Sequence, residues 1–141
     1  MAVTSEATTV WNGDLKSGSG TVSLDSSHAA EFPVSWKARS EGSSSITTPE
    51  ELLGAAHAAC FSMAFSGALA GFGTPPESVQ TTAAVTFDPA QGVTGSHLLV
   101  HATVPGLSDA DFQRLAEEAK TNCPVSRALV GIPITLEARL A

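Results

Sequence analysis

The sequence of 141 residues predicts an α+β fold with the element order βββ-α-ββ-α-α-β. Short runs that alternate between apolar and polar residues, the pattern of half-buried strands, occur near the start, in the middle and at the end of the chain. One long stretch, from residue 49 to about 70, is apolar on nearly every helical face. Two further helical segments lie between the middle strands and the last strand.

The N-terminal part of the chain predicts three short strands followed by a loop. The first strand runs into Asn12-Gly13, a dipeptide that favours a tight hairpin turn because both residues tolerate positive φ. The third strand is predicted over Glu31 to Ala38, with Pro33 near a sheet edge because proline lacks the ladder N–H. Residues 40–48 are rich in Ser and Thr, and we expect a loop there.

The long apolar stretch has clear signals of a helix start. Thr48 can cap the helix, Pro49 suits its first position, and Glu51 completes a Thr-x-x-Glu capping box. Its start is too polar, and its length too small, for us to expect a membrane span. A helix that is apolar all round is buried on all sides. Because one sheet in so small a domain covers only one face, we expect a second subunit to cover the other.

The remaining elements follow from alternation and capping. Two alternating strands are predicted around residues 79–87 and 98–104. A helix over 108–122 begins with acidic residues, which the helix dipole favours. Proline starts a short helix over 124–129, and a strand that alternates cleanly over 134–140 ends the chain. We expect a single domain that comprises residues 1–141.

Composition excludes some classes of partner. Acidic residues outnumber Lys and Arg by 14 to 7, which gives a net charge of −7, and the basic residues form no cluster. A nucleic acid backbone would be repelled, so we expect no nucleic acid partner. The N-terminus has no secretion signal, so we expect a cytoplasmic protein without a membrane partner. There, paired cysteines are more often catalytic or metal-binding than structural.

The two cysteines, Cys60 and Cys123, are the main candidates for chemistry. Cys60 lies within the apolar helix, where a buried thiol is commonly inert and burial raises its pKa. Cys123 precedes Pro124, so it is predicted to cap the short helix, where unpaired N–H groups favour a thiolate. A disulfide would require Cα atoms about 4.4–6.8 Å apart. The sequence alone leaves the inert and the redox interpretations open.

Histidines offer weaker candidates. His57 lies three residues before Cys60, on the same helix face. It could act as a base or bind zinc together with both cysteines, but a hydrogen-bonded core histidine is the favoured interpretation. His97 and His101 share one face of a strand and are predicted to be surface residues.

Arg39 and Glu50 complete the set of candidate residues. Arg39 is placed at the end of the third predicted strand, and Glu50 at the second helical position, where the dipole favours a carboxylate in any case. Ten residues of helix separate Glu50 from Cys60, a rise of about 15 Å. If these two residues cooperate, the glutamate must come from another chain.

Several segments closely resemble the OsmC/Ohr family of thiol peroxidases, the osmotically inducible and organic hydroperoxide resistance proteins, and more closely the OsmC branch. The likeness covers essentially the whole chain in the same order. The segments are Trp11-Asn12-Gly13-Asp14-Leu15, Gly18-x-Gly20, Thr48-Pro49-Glu50-Glu51-Leu52-Leu53, Ala55-Ala56-His57-Ala58-Ala59-Cys60-Phe61-Ser62-Met63-Ala64 and Cys123-Pro124-Val125-Ser126.

The resemblance implies an OsmC-like fold in which antiparallel sheets wrap central helices in an intertwined homodimer, with active sites at the interface. It implies that Cys60 is the peroxidatic cysteine, Cys123 the resolving one and Glu50 the family's glutamate. Arg39 matches the family's arginine less closely, because the loop over 40–48 differs in length. Thr48 stands where the family usually has Asn, and it can still cap the helix.

The activity that the resemblance implies is reduction of organic hydroperoxides, and more weakly of hydrogen peroxide, to alcohols in oxidative or osmotic stress defence. Cys60 would form a sulfenic acid and then a disulfide with Cys123, which an external dithiol reduces, with no metal or other cofactor. The alternatives are a redox-sensing or apolar-ligand-binding dimer without peroxidase turnover, and a zinc-binding protein that uses His57, Cys60 and Cys123.

Overall fold

The computed structural model describes residues 1–141, and the chain divides into two units, Met1–Pro49 and Glu50–Ala141. The N-terminal unit is a three-stranded antiparallel sheet in the order β1-β2-β3, followed by a short helix. Its elements are β1 (Ala7–Asn12), β2 (Ser19–Leu24), β3 (Glu31–Val34) and α1 (Trp36–Glu41). The expectation of a single domain stays a prediction.

The third strand is shorter than predicted and gives way to a helix. Strand β3 ends at Val34, and the Ser35 hydroxyl accepts a hydrogen bond from the Ala38 N–H at 3.1 Å. That contact satisfies one of the unpaired amides at a helix start, so the chain turns into α1 there. The prediction of a strand as far as Ala38 was therefore wrong, and Arg39 lies in the last turn of a helix.

The first hairpin also differs from the predicted tight turn. Asn12 pairs with Ser19, so the connection comprises residues 13–18. The Asp14 carboxylate accepts a hydrogen bond from the Ser17 N–H at 2.7 Å, and its backbone oxygen accepts one from Gly18 at 2.9 Å. This local turn replaces the two-residue hairpin, although Gly13 does adopt a positive φ of 92°.

The C-terminal unit holds the long helix, a second three-stranded sheet and two more helices. The strand order is β4-β5-β6, with β4 and β5 antiparallel and β5 and β6 parallel. A parallel pair needs a crossover, which helices α3 and α4 supply. The prediction of antiparallel sheets was therefore wrong for this pair. The elements are α2 (Pro49–Gly71), β4 (Ser78–Asp88), β5 (Gly92–Thr103), α3 (Asp109–Asn122), α4 (Pro124–Ala128) and β6 (Ile134–Leu140).

One face of α2 packs into the core of this unit. Phe65 lies between Phe61 and Phe112, with ring centroids 5.5 and 5.3 Å away. At Gly54 the helix approaches β4 so closely that a Cβ would lie 2.8 Å from the carbonyl oxygen of Ala83. Only glycine fits there without a shift of the backbone. The core also contains Leu69, Leu98, Val100, Ala102, Val104, Leu115, Ala116, Ala119 and Cys123.

The opposite face of α2 is an apolar surface within the single chain. Helix α2 has 23 residues and a mean hydropathy of 1.5, and 28% of its most apolar window is buried. By length and composition it could cross a membrane, so the expectation that it is too short was wrong, although core helices of soluble proteins have the same properties. We call the exposed residues of this face the α2 stripe: Ala55, Ala56, Ala59, Met63, Gly67 and Ala70.

Candidate active site

The two cysteine sulfurs face each other across the C-terminal unit. The Sγ of Cys123 lies 3.2 Å from the Sγ of Cys60 and donates a hydrogen bond to it. Both cysteines are free thiols, with Cys60 partly buried and Cys123 fully buried. A disulfide requires about 2.0 Å between the sulfurs, so the pair is reduced and needs only a small approach to form that bond.

Cys123 is held at the junction of two helices. Its N–H donates to the Ala119 carbonyl at 2.8 Å and closes α3, while its own carbonyl accepts the Arg127 N–H at 3.0 Å and opens α4. Pro124 takes the first position of α4, where its missing N–H is not needed. The predicted N-cap position is therefore confirmed. The Cys123 sulfur does not accept the hydrogen bond from a backbone N–H of α4 that an N-cap side chain usually accepts.

The two thiols have different acidities. Burial raises the pKa of the Cys60 thiol, and the neighbouring Cys123 raises it further. The N–H of Val125 lowers this pKa but does not outweigh the other two effects. Burial also disfavours a thiolate at Cys123. There, the N–H and hydroxyl of Ser126, the Cys60 thiol and the Val125 N–H together outweigh burial, so the pKa of Cys123 is lowered.

His57 is a buried, hydrogen-bonded histidine, as the sequence predicts. Its Nδ1 lies 2.7 Å from the Ser96 hydroxyl and its Nε2 lies 2.8 Å from the Ser126 hydroxyl. Burial lowers the pKa of the ring, which favours the neutral form. Because both ring nitrogens are engaged by serines, neither is directed at a metal shared with Cys60 and Cys123, so the geometry does not support the zinc interpretation.

Sequence reasoning missed Ser96 and Ser126 as members of this site. Both are buried, with exposed fractions of 2% and 6%. A signal for Ser126 was available, because it lies three residues after a cysteine at a helix start and therefore one turn away from it. Ser96 carries no such signal, since its contact with His57 arises only from the packing of β5 against α2.

The structure gives the positions of Arg39 and Glu50, and their roles stay predictions. Arg39 is a half-buried residue of α1 in the N-terminal unit. Glu50 starts the C-terminal unit and is buried, with 6% exposure. Its position ten residues before Cys60 on one continuous helix still puts about 15 Å of rise between them. The surface positions of His97 and His101 are confirmed.

Comparisons with known proteins give one consistent result. Residues 42–137 match the protein family described as OsmC-like protein. The protein called Peroxiredoxin OsmC from Escherichia coli (strain K12) is 43% identical over 133 residues, which is 92% of this chain and 92% of that protein. The protein of the same name from Shigella flexneri matches with the same identity and coverage.

Solved structures share the fold over the full length. An OsmC-like protein from Mycoplasma pneumoniae superposes with a TM-score of 0.75 at 16% identity, covering 100% of this chain and 99% of that one. An organic hydroperoxide resistance protein from Elizabethkingia anophelis superposes with a TM-score of 0.70 at 26% identity, covering 100% and 97%. The first of these shows a common fold alone.

Proposed function

The chain belongs to the OsmC-like family, and we propose that Cys60 and Cys123 are the redox-active pair of its thiol peroxidase activity. The protein is a thiol-dependent peroxidase that reduces hydroperoxides. The observation that carries the assignment is the 3.2 Å separation of the two sulfurs. A pair that is far apart in sequence and in contact in the fold can form and break a disulfide without large motion of the backbone.

The proposed reaction begins at Cys60, which is the more accessible of the two thiols. Its thiolate attacks one oxygen of the hydroperoxide, the O–O bond breaks, and the alkoxide takes a proton to leave as the alcohol. The sulfur is oxidised to a sulfenic acid, and Cys123 then displaces its hydroxyl to give the disulfide and water. An external dithiol reduces that disulfide and returns both thiols.

Cys60 needs a cation to act as a thiolate, because burial raises its pKa in the isolated chain. We propose that the guanidinium of Arg39 supplies this charge and that a Glu50 carboxylate orients it, since a bidentate pair fixes the guanidinium plane. Glu50 is buried, and a buried carboxylate is stable only with a partner. Because about 15 Å of helix rise separates Glu50 from Cys60 within one chain, we propose that the glutamate near a given Cys60 comes from a second chain.

The α2 stripe supports a homodimer. Met63 is 76% exposed, and the alanines and glycine of the stripe let another helix approach closely. The stripe lies beside Cys60, so a second copy that covers it would enclose the thiol in an apolar pocket. Such a pocket favours organic hydroperoxides over hydrogen peroxide. We also propose a cytoplasmic location, where reducing conditions supply a dithiol.

The function is tested by treating the reduced protein with one equivalent of cumene hydroperoxide. We expect loss of the peroxide, release of the alcohol, and a Cys60–Cys123 cross-linked peptide in non-reducing mass spectrometry. Dithiothreitol should then restore activity over many cycles. A disulfide that small dithiols do not reduce would favour the redox-sensing interpretation, and oxidation without loss of both thiols would contradict the assignment.

The dimer is tested by placing a charge on the α2 stripe. Met63→Glu should convert a dimer to a monomer in light scattering after size-exclusion chromatography, because the carboxylate would be buried without a partner. Ala110→Glu is the matched control, since Ala110 is an exposed residue of α3 outside the stripe. A wild-type monomer at micromolar concentration would overturn the proposal.

A further inference from the structure

His57 is buried and hydrogen-bonded on both sides, and the proposed reaction does not use it. The ring is 0% exposed and connects three elements, because it contacts Ser96 on β5 and Ser126 on α4 from its own position on α2. An apolar side chain would fill the same space without the need for two buried hydroxyl partners. The residue therefore carries a polar function at a structural cost.

Ser126 joins this histidine to the resolving cysteine. It lies three residues after Cys123, in the first turn of α4, and is nearly excluded from solvent. Its hydroxyl contacts Nε2 of His57 at 2.8 Å, and this hydroxyl is one of the groups that lower the pKa of Cys123. A hydroxyl has one proton. If that proton is directed at the sulfur, the oxygen must accept a hydrogen bond from His57.

This requirement sets the direction of every bond in the chain of groups. In that arrangement Nε2 of His57 carries the ring proton and donates to Ser126, and Nδ1 accepts from the Ser96 hydroxyl. A neutral ring satisfies both bonds, and burial lowers the pKa of the ring, which favours the neutral form. The protons of Ser96, His57 and Ser126 then all point toward the Cys123 sulfur, and hydrogen bonds aligned in one direction strengthen one another.

We propose that His57 is a positioning residue for the resolving cysteine, holding the Ser126 hydroxyl proton on the Cys123 sulfur whenever that sulfur carries negative charge. This role rests on the proposed peroxidase function. The charge arises twice in the cycle. The Cys123 thiolate first attacks the Cys60 sulfenic acid, the S–O bond breaks, and the departing hydroxide takes up a proton as water.

The second occasion is reduction of the disulfide. Cys60 is partly exposed and Cys123 is not, so an external thiolate reaches the Cys60 sulfur. The S–S bond breaks, and its electron pair leaves with Cys123. The second thiol of the reductant then releases Cys60, and the reductant is oxidised to its own disulfide. A leaving thiolate that is stabilised by hydrogen bonds departs faster.

The first test needs no peroxidase activity. In a Cys60→Ser background Cys123 is the only thiol, and its ionisation can be followed by ultraviolet absorbance of the thiolate. Adding Ser126→Ala or His57→Gln should raise the pKa of Cys123 by about one unit, since a hydrogen bond to a charged group is lost. Adding Ser62→Ala is the matched control, because Ser62 bonds Ala58 and Thr81 and not this chain of groups. An unchanged pKa in Ser126→Ala or in a folded His57→Gln overturns the proposal.

The second test uses single turnovers of the otherwise wild-type protein. Ser126→Ala and His57→Gln should slow disulfide formation about tenfold and should slow peroxide loss by much less. Equal slowing of both steps would indicate a general structural role and overturn the proposal. If wild-type protein consumes no peroxide, the proposed function fails, whereas the thiol titration still decides the role of His57. If His57→Gln does not fold, His57→Asn takes its place in the thiol titration.

Discussion

The two cysteines belong to one pair but lie in opposite surroundings. Cys60 is in the middle of a 23-residue helix, where every backbone amide is already used and burial raises its pKa. Cys123 is at a break between helices, where free amides and a serine hydroxyl lower its pKa although it is the more buried of the two. At Cys123 the N–H groups of α4 and the neighbouring side chains therefore outweigh the effect of burial on the pKa. The accessible sulfur suits attack on substrate, and the acidic one suits resolution and departure.

The largest expected effect is at Cys60. Cys60→Ser should reduce peroxide consumption by a thousandfold or more, on the order expected when a covalent nucleophile is removed. The assay is consumption of cumene hydroperoxide with dithiothreitol as reductant. Comparable activity in this variant would mean that Cys123 attacks the peroxide and would reverse the two roles.

Cys123→Ser should behave differently from Cys60→Ser. The first turnover should survive, while steady-state turnover falls by roughly tenfold or more because the sulfenic acid has no resolving thiol and is oxidised further. Mass spectrometry should find sulfenic, sulfinic or sulfonic Cys60. A variant that cycles at the wild-type rate would show that resolution comes from outside the chain.

The acidity of Cys60 sharpens the comparison further. If Arg39 supplies the missing cation, Arg39→Met should slow the oxidation of Cys60 about a hundredfold at pH 7, with Arg39→Lys less affected. Raising the pH should recover much of the loss, because the thiolate then forms without help. Stopped-flow measurement of peroxide loss gives the rate, and a loss that pH does not relieve would contradict the proposed role.

A disulfide between the two cysteines should stabilise the fold. A disulfide between Cys60 and Cys123 closes a long loop in the unfolded chain, which contributes about 2–4 kcal/mol and raises Tm by roughly 5–15 °C. Calorimetry of oxidised and reduced protein measures this difference. In Cys60→Ser the same oxidant should leave Tm unchanged, and a shift there would point to another cause.

The smallest expected effect is a difference between two titrations. The remaining thiol of Cys60→Ser, which is Cys123, should ionise at a lower pH than the remaining thiol of Cys123→Ser. The sign follows from the lowered pKa of Cys123 and the raised pKa of Cys60. Thiolate absorbance between pH 5 and about 10 measures both. The reverse order would show that the amides of α4 do not control the pair.

Much of the fold was predictable from local signals. The capping box and proline at residues 48–51 predicted the start of α2, and the alternation over 134–140 predicted β6. Helix α1 was missed because its only local signal is the cap at Ser35, and the alternating residues beside it read equally well as strand. The parallel pairing of β5 with β6 was missed because alternation fixes which residues share a face and not the direction of the neighbouring strand.

By itself the sequence determined most of the helices and strands, which helix is unusually apolar, and which two sulfurs are available. Those properties depend on neighbours within a few residues, so composition and spacing carry them. The tertiary structure alone decided that the sulfurs lie 3.2 Å apart and that His57 contacts Ser126, three residues after Cys123. Contacts between α2, β5 and α4 arise from packing across many residues, and no local pattern encodes such distances.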